Sequence, residues 1–380
     1  MNELCPICHA SCQPLRSLAF PHKPNLPQQI VISVCGGCDF AFSSPRDAPS
    51  YSAFYSANLN DTLGADINLT AAEKKRYSGQ MEVLQSVVGS KQVQRVLDVG
   101  CGQAGLLRTL QKHYPNHAYF AVDPNVSEVQ MADPDISFSR NWENLDGSFD
   151  LIILSHVIEH VVEFDEIAML SKRLTETGHI YIEVPDASRY GNYLRQEFLY
   201  YFDRLHINHF TDRALRLLVS QWGLHVVKTG RSEFEYKDAN PYPAIFVMAN
   251  RQVSTTHAIT VDEPLQRALQ NYVSDEMARS QTIRKELSKI VPIVAYGFGD
   301  NFFKSVSVGG PLEAIPIAAI IDMRHTELNL SPMANSYRFM DIDSCTTEFP
   351  EATYVVSVSW GSLEIREALK VRGITNIVQI

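Results

Sequence analysis

The chain lacks any apolar run approaching the ~20 residues that span a bilayer. Its first residues, MNELCPICHASC, are polar where a targeting segment has a basic stretch and an apolar core. Both absences point to a cytoplasmic protein with no membrane partner. Positive charge is also scarce, with 33 Lys and Arg against 43 Asp and Glu and a formal net charge of −10. A chain that neutralises a phosphate backbone carries a basic stripe. The one tight basic run, Lys74-Lys75-Arg76, reads as a solvated helix face, so no nucleic-acid partner is expected. Repeats and low-complexity tracts are missing too, and 380 residues suffice for two or three ordinary globular domains.

Cysteine is not scarce, but its number is odd. Of seven, four stand as two C-x-x-C pairs, Cys5-Pro-Ile-Cys8 and Cys35-Gly-Gly-Cys38. That pattern argues for metal in a reducing compartment rather than a disulfide framework. Four thiolates suit tetrahedral Zn2+ in a closed structural site, with no position left for substrate. Gly36 and Gly37 let the chain turn so that backbone amides approach the sulfurs. His9 and Cys12 are nearby substitutes. The stretch between the pairs, with Pro21, Pro24 and Pro27, reads as an excursion.

From about residue 70 the pattern alternates helices with apolar strands. A helix is expected over 71–88, and strands over 95–99, 119–123, 136–139, 150–155 and 179–184. Helical stretches fill most gaps, which implies an α/β, Rossmann-like parallel sheet with right-handed crossovers. Two further strands, near 224–234 and 243–250, have a short connection and should form an antiparallel pair at one edge.

The loop after the first of these strands, VLDVGCGQAG, satisfies G-x-G-x-x-G, which could mark a dinucleotide site. Gly100 and Gly102 let the backbone pass close to a ligand, and the following helix points its N-terminus at it. Asp123 ends the second strand, where a carboxylate can accept both ribose hydroxyls. Asp98 decides between ligands. Beside a pyrophosphate it would put two like charges in low dielectric. S-adenosylmethionine (SAM) has no phosphate and presents an ammonium and a sulfonium, which an aspartate favours.

VLDVGCGQAGLL, FAVDPN and FDLIILSHVIEHV, in this order, resemble class I SAM-dependent methyltransferases over about residues 70–250. The resemblance implies that Trp142 flanks adenine with Asn141 beside it, and that Ser155 and His156 close the pocket. Ala104 departs from the glycine the family often has there. His156-Val-Ile-Glu159-His160 also spells the inverted zinc-protease motif H-x-x-E-H. That motif needs both histidines on one helix face, whereas His156 directly follows a strand. Glu159 and His160 read as a polar helix start that fixes the loop by hydrogen bonds.

The aromatic-rich segment 187–223 contains DRLHINHF, a loop before the helix that Thr211 caps. Histidine suits removal of an acceptor proton near pH 7. His206 is therefore the candidate base, with His209 the second catalytic candidate.

A zinc knuckle, a class I methyltransferase and a further α/β domain together resemble the sugar C-methyltransferases that act on nucleotide-linked 4-keto deoxysugars. IVPIVAYGFGDN, IPIAAIIDMR and EATYVVSVSWGSLEIREALKVRGITNIV look like that family's C-terminal glycine loop, second strand and closing strand–Trp–helix–strand. The implied organisation is 1–48 zinc-binding, 49–255 SAM-dependent methyltransferase and 256–380 a Rossmann-like domain contacting substrate. The family's reactive Tyr-His-Glu-His is reduced here to His206, with Asp203, Arg204 and Leu205 before it. Asp300 and Asn301 stand where the C-terminal loop has lysine. These departures keep O- or N-methylation of another small metabolite or glycan precursor open. An RNA methyltransferase with a zinc knuckle is opposed by the acidic charge. A non-catalytic SAM-binding partner protein is a further reading.

Overall fold

The computed structural model describes residues 3–22, 25–57, 69–90, 93–236, 240–253, 258–259, 263–290, 292–358 and 361–380. The expected boundary at 255/256 and Trp360 of the closing segment lie outside the described residues. The chain divides into two compact units. The first comprises Met1–Leu15, Ile32–Tyr193 and Leu205–Leu269; the second comprises Arg16–Val31, Leu194–Arg204 and Gln270–Ile380. No described helix is long and apolar enough to cross a membrane.

The excursion between the cysteine pairs is not irregular. It holds strand β1 (Gln13–Ala19) and strand β2 (Gln29–Cys35), either side of the proline-bearing stretch. With β3 (Phe40–Ser44) and a two-residue strand, Asn208–His209, they form a four-stranded sheet. Phe42 and Ala41 of β3 pair antiparallel with Asn208 and His209.

The first unit contains the expected α/β sheet. Its strands are β4 (Arg95–Val99), β5 (Ala118–Val122), β6 (Ile136–Ser139), β7 (Phe149–Ser155) and β8 (Leu174–Pro185), all parallel where they pair. Counting Asn208–His209 as β9, the remaining two are β10 (His225–Tyr236) and β11 (Asn240–Asn250). The order is β10-β11-β8-β7-β4-β5-β6, and β10 and β11 are the antiparallel pair at one edge. Apolar runs fix these strands: Leu151, Ile152, Ile153 and Leu154 of β7 are wholly buried, each worth roughly 1.5–3 kcal/mol of transfer free energy. The helix Ala71–Val88 starts at a capping box, Thr70 and Glu73 satisfying each other's backbone N–H.

Strand order reverses between β4 and β7. In such sheets ligands bind outside the carboxyl ends of the strands at this switch point. The glycine loop follows β4 and His156 follows β7, so the fold brings both to that place.

The second unit is built on a parallel sheet: β12 (Ile293–Tyr296), β13 (Ile317–Ile321), β14 (Phe339–Met340), β15 (Thr353–Val356) and β16 (Ile377–Gln379), in the order β14-β13-β12-β15-β16. Two departures from the resembled family meet here. The Arg204 guanidinium, fully buried over the Phe20 ring, grips Asp300 with Nε at 3.0 Å and Nη2 at 2.6 Å. His22 reaches the same carboxylate at 3.0 Å, and burial of Asp300 is outweighed by these two partners, which hold its carboxyl near 2. Asp322, ending β13, is likewise taken by Arg324 and by the backbone N–H of Phe298. Asp300 of the glycine loop and Asp322 after β13 both serve internal partners.

Candidate functional site

A cleft of about 330 Å³ opens at the switch point of the first unit. Asp98, Gly100 and Gly102 line it from β4 and its loop, Ser155 and His156 from the end of β7, and Arg76 and Gln80 from the helix Ala71–Val88. Gly100 has φ 74°, and a Cβ there would stand 2.4 Å from Cγ2 of Val157. The loop can thus pass beside the β7 exit only as glycine. Ala104 and His156 also hold positive φ, 56° and 57°, without being glycine, a strain that clusters at ligand sites.

Asp98 is 4 % exposed. Burial, reinforced by the charge of Asp123, pushes its carboxyl up to about 8 against the opposing pull of Arg76. The protein therefore holds here a carboxyl that a cationic ligand would ionise. Asp123 accepts the N–H of Gly102 and that of Asn125, each at 2.9 Å, one on each oxygen. Each oxygen keeps a lone pair for a further donor.

The opposite wall is ionic. Ser155 Oγ accepts from Arg76 at 3.1 Å and Gln80 at 2.8 Å. Gln80 also donates to Glu183 of β8 at 2.6 Å, as do the Tyr181 hydroxyl at 2.8 Å and Ser232 at 3.1 Å. Burial opposes ionisation of Glu183, but His156, Arg76 and the Tyr181 hydroxyl outweigh it and hold the carboxyl at about 2. His156 lies between two acids, 3.1 Å from Glu159 and 3.5 Å from Glu183.

Arg76 corrects one expectation. Lys75 does face solvent, paired with Glu235, but Arg76 turns into the cleft and stacks 4.5 Å from the centre of the Phe234 ring. Sequence reasoning passed over Arg76, Gln80 and Glu183. The available signal was the i, i+4 spacing of Arg76 and Gln80, which puts both on one helix face. Glu183 within the apolar strand IYIEV was another, since a buried carboxylate needs partners.

The remaining expected residues lie apart from this lining. Asn141 is exposed and caps a short 3-10 turn by accepting the Glu143 N–H at 2.9 Å; Trp142 is half-buried against the core. Both follow β6, whose Ser139 carbonyl accepts the Asp123 N–H at 3.1 Å. His209 is wholly buried in β9 with its Nδ1 3.2 Å from the Tyr190 hydroxyl. His206 keeps exposed surface, and its ring centre is 4.8 Å from that of His160.

Glu159 is wholly buried in the 3-10 turn Ile158–His160, its Oε1 3.1 Å from Nδ1 of His156 on the same loop. His160 fixes the loop, its Nδ1 meeting the Leu205 carbonyl at 2.9 Å. Burial of Glu159 is outweighed by His156, with His160 and His206 adding to it, so its carboxyl sits below the usual range.

The four cysteines come together. Sγ of Cys5 is 3.6 Å from that of Cys38, and Sγ of Cys8 is 3.3 Å from that of Cys35, far beyond a disulfide. Backbone N–H groups of Ile7 and Cys8 point at the Cys5 sulfur. Gly37 closes the second knuckle, where a Cβ would crowd Cys8 Sγ at 3.3 Å. Such a donor set fits a tetrahedral zinc ion. Cys12 bonds the Ala10 carbonyl instead, and His9 is exposed.

Residues 63–229 match the family model of a methyltransferase domain. No curated protein matches the chain. Among solved structures it is similar to the 1,6-didemethyltoxoflavin-N1-methyltransferase of Burkholderia thailandensis. Identity is 18%, over 58% of this chain and 96% of that one, with a TM-score of 0.41. Magnesium protoporphyrin IX methyltransferase from Synechocystis gives 16%, 53%, 95% and 0.36 in the same order. A coclaurine N-methyltransferase gives 12%, 52%, 78% and 0.35.

Proposed function

We propose that the protein is an enzyme that transfers a methyl group from SAM to a small-molecule acceptor, with a nucleotide-linked deoxysugar the favoured class. The observation that carries the reading is Asp98, a carboxyl buried at the cleft whose ionisation calls for a cation. A phosphate there would add like charge, whereas an ammonium or sulfonium supplies the missing opposite one.

When bound, SAM supplies an electrophilic methyl carbon on sulfur. Asp98 would hold the cationic amino-acid tail, and Gly100 and Gly102 would let it approach the backbone. Asp123 would accept from the ribose hydroxyls with the lone pairs left by its two backbone bonds. Asn141 and Trp142, following β6, would flank the adenine, and Ser155 and His156 would close the pocket. On the acceptor side His206 would take a proton, from the carbon beside a ketone in C-methylation or from a hydroxyl in O-methylation. Proton removal and alignment are what this chemistry asks of the protein. His209, without exposed surface, would serve by fixing Tyr190 and β9.

Cys5, Cys8, Cys35 and Cys38 would hold a structural Zn2+. In this reading residues 1–48 form the zinc-binding part, 49–255 the methyl-transfer part and 256–380 a part that contacts substrate. The protein would work in the cytoplasm without nucleic acid. The acidic balance of the chain supports a small acceptor over RNA.

The test is incubation with SAM and a nucleotide-sugar pool, with the new methyl located by NMR. A methylated nucleotide sugar is expected. SAM binding with no product from keto- or hydroxy-sugars would remove the sugar, and transfer to RNA would replace it.

A further inference from the structure

We propose that Glu159, His160 and His206 form a binding site for one divalent transition-metal ion beside the cleft. One donor atom of each lies within 4.8 Å of the other two. Two histidines and one carboxylate suit Mn2+, Fe2+ or a neighbouring first-row ion, and they leave coordination positions open.

The tautomer of His160 is set for this role. A carbonyl can only accept, so Nδ1 of His160 carries the proton in its 2.9 Å bond to Leu205, and Nε2 keeps its lone pair. Ligating histidines are commonly held through their second nitrogen in this way. Glu159 gives an independent indication. It is wholly buried, with Oε1 facing Nδ1 of His156 at 3.1 Å and Oε2 without a hydrogen-bond partner, a position a cation could fill. His156, 3.1 Å from one oxygen and 3.5 Å from Glu183, orients that carboxylate from behind. Because His156 also lines the cleft, the ion would sit next to it.

The arrangement differs from the zinc-protease reading of the string HVIEH. His156 leaves a strand and His160 ends a 3-10 turn, so they do not share a helix face. The third donor comes from the segment before β9. The inference rests on the methyl-transfer reading only for the use of the ion: an open position there suits a hydroxyl or carbonyl oxygen of the acceptor. With the ion bound, His206 would serve the acceptor side as a ligand rather than as the base of the proposed function, and the ion would activate that oxygen.

The test is metal counting on the full chain, dialysed against Mn2+ or Co2+ after its zinc content is measured. One equivalent of either ion beyond the cysteine cluster is expected. Glu159→Gln and His160→Ala should each weaken it by at least about tenfold, and Cys35→Ser should leave it in place. Mn2+ should raise the unfolding midpoint of the wild type and not of the two variants. Should a variant fail to fold, pulsed electron paramagnetic resonance of Mn2+ on the wild type takes its place, and nitrogen coupling from imidazole is expected. Neither ion bound, binding unchanged in both variants, or bound Mn2+ without nitrogen coupling overturns the site. Calorimetry with SAM on the same samples separates the two readings. Metal binding without SAM binding leaves the site standing and defeats methyl transfer; SAM binding without metal does the reverse.

Discussion

The backbone N–H of Gly102 donates to the carboxylate of Asp123 at 2.9 Å, tying the glycine loop after β4 to the end of β5. One acid therefore shapes the loop and, in the proposed function, would also accept from the ribose. Asp98, one strand away, is left with the opposite property, a carboxyl that burial and Asp123 keep protonated up to about 8.

This difference makes SAM binding depend on pH. Between the ordinary carboxylate value of 3.8 and about 8, the folded protein holds a proton on Asp98 that the unfolded chain has lost. Asp98 therefore favours the folded state at low pH, and that contribution is lost as pH rises through this window. At roughly 1.4 kcal/mol per decade the interval sets an upper bound of about 6 kcal/mol. A cationic ligand reverses the preference, so SAM should bind with proton release and more tightly as pH rises towards 8. Calorimetry in buffers of different ionisation enthalpy checks the released proton, and denaturation of Asp98→Asn should show a flatter pH profile.

Gly100→Ala should damage the loop itself. The new Cβ would meet Val157 at 2.4 Å at a φ that L-residues avoid. A loss of roughly 1–3 kcal/mol in stability is expected, with SAM affinity reduced further, measured by denaturation and calorimetry.

Chelation of zinc, or Cys35→Ser, should unfold the cysteine knuckles while leaving the α/β sheet in place. A structural zinc commonly contributes on the order of 10 kcal/mol to its own module. Metal analysis together with hydrogen exchange checks this, protection being lost around Cys5–Cys8 and Cys35–Cys38 and retained in β4 and β7.

His206→Ala should keep SAM binding within about twofold and lower turnover by roughly 10²–10⁴. The readout is single-turnover methyl transfer beside a SAM titration. Retained turnover would move the acceptor-side chemistry elsewhere.

Much of this was legible in the sequence because one-dimensional patterns carried it. The apolar runs RVLDV and DLIILS marked β4 and β7, and the charge of Asp98 gave the reason to expect a cationic ligand rather than a phosphate. The cysteine cluster was readable from spacing alone. What was not legible came from pairings across the fold. Arg76 looked like one of three solvated cations until the helix turned it onto Phe234. The strands flanking the prolines were hidden by the proline-rich composition between them. Glu159 looked like a loop acid, and only the meeting of its turn with Leu205 and His206, far along the chain, shows it buried among imidazoles. Arg204 and Asp300 each read as a departure from the resembled family, and only their bidentate pairing explains both.

The most direct test of the central claim is a calorimetric titration of SAM into the wild type and Asp98→Asn at pH 8. The account predicts one site per chain in the wild type and at least about tenfold weaker binding in the variant, a loss of 1.4 kcal/mol or more. Equal affinity in the two proteins, or no SAM binding by the wild type, would contradict it.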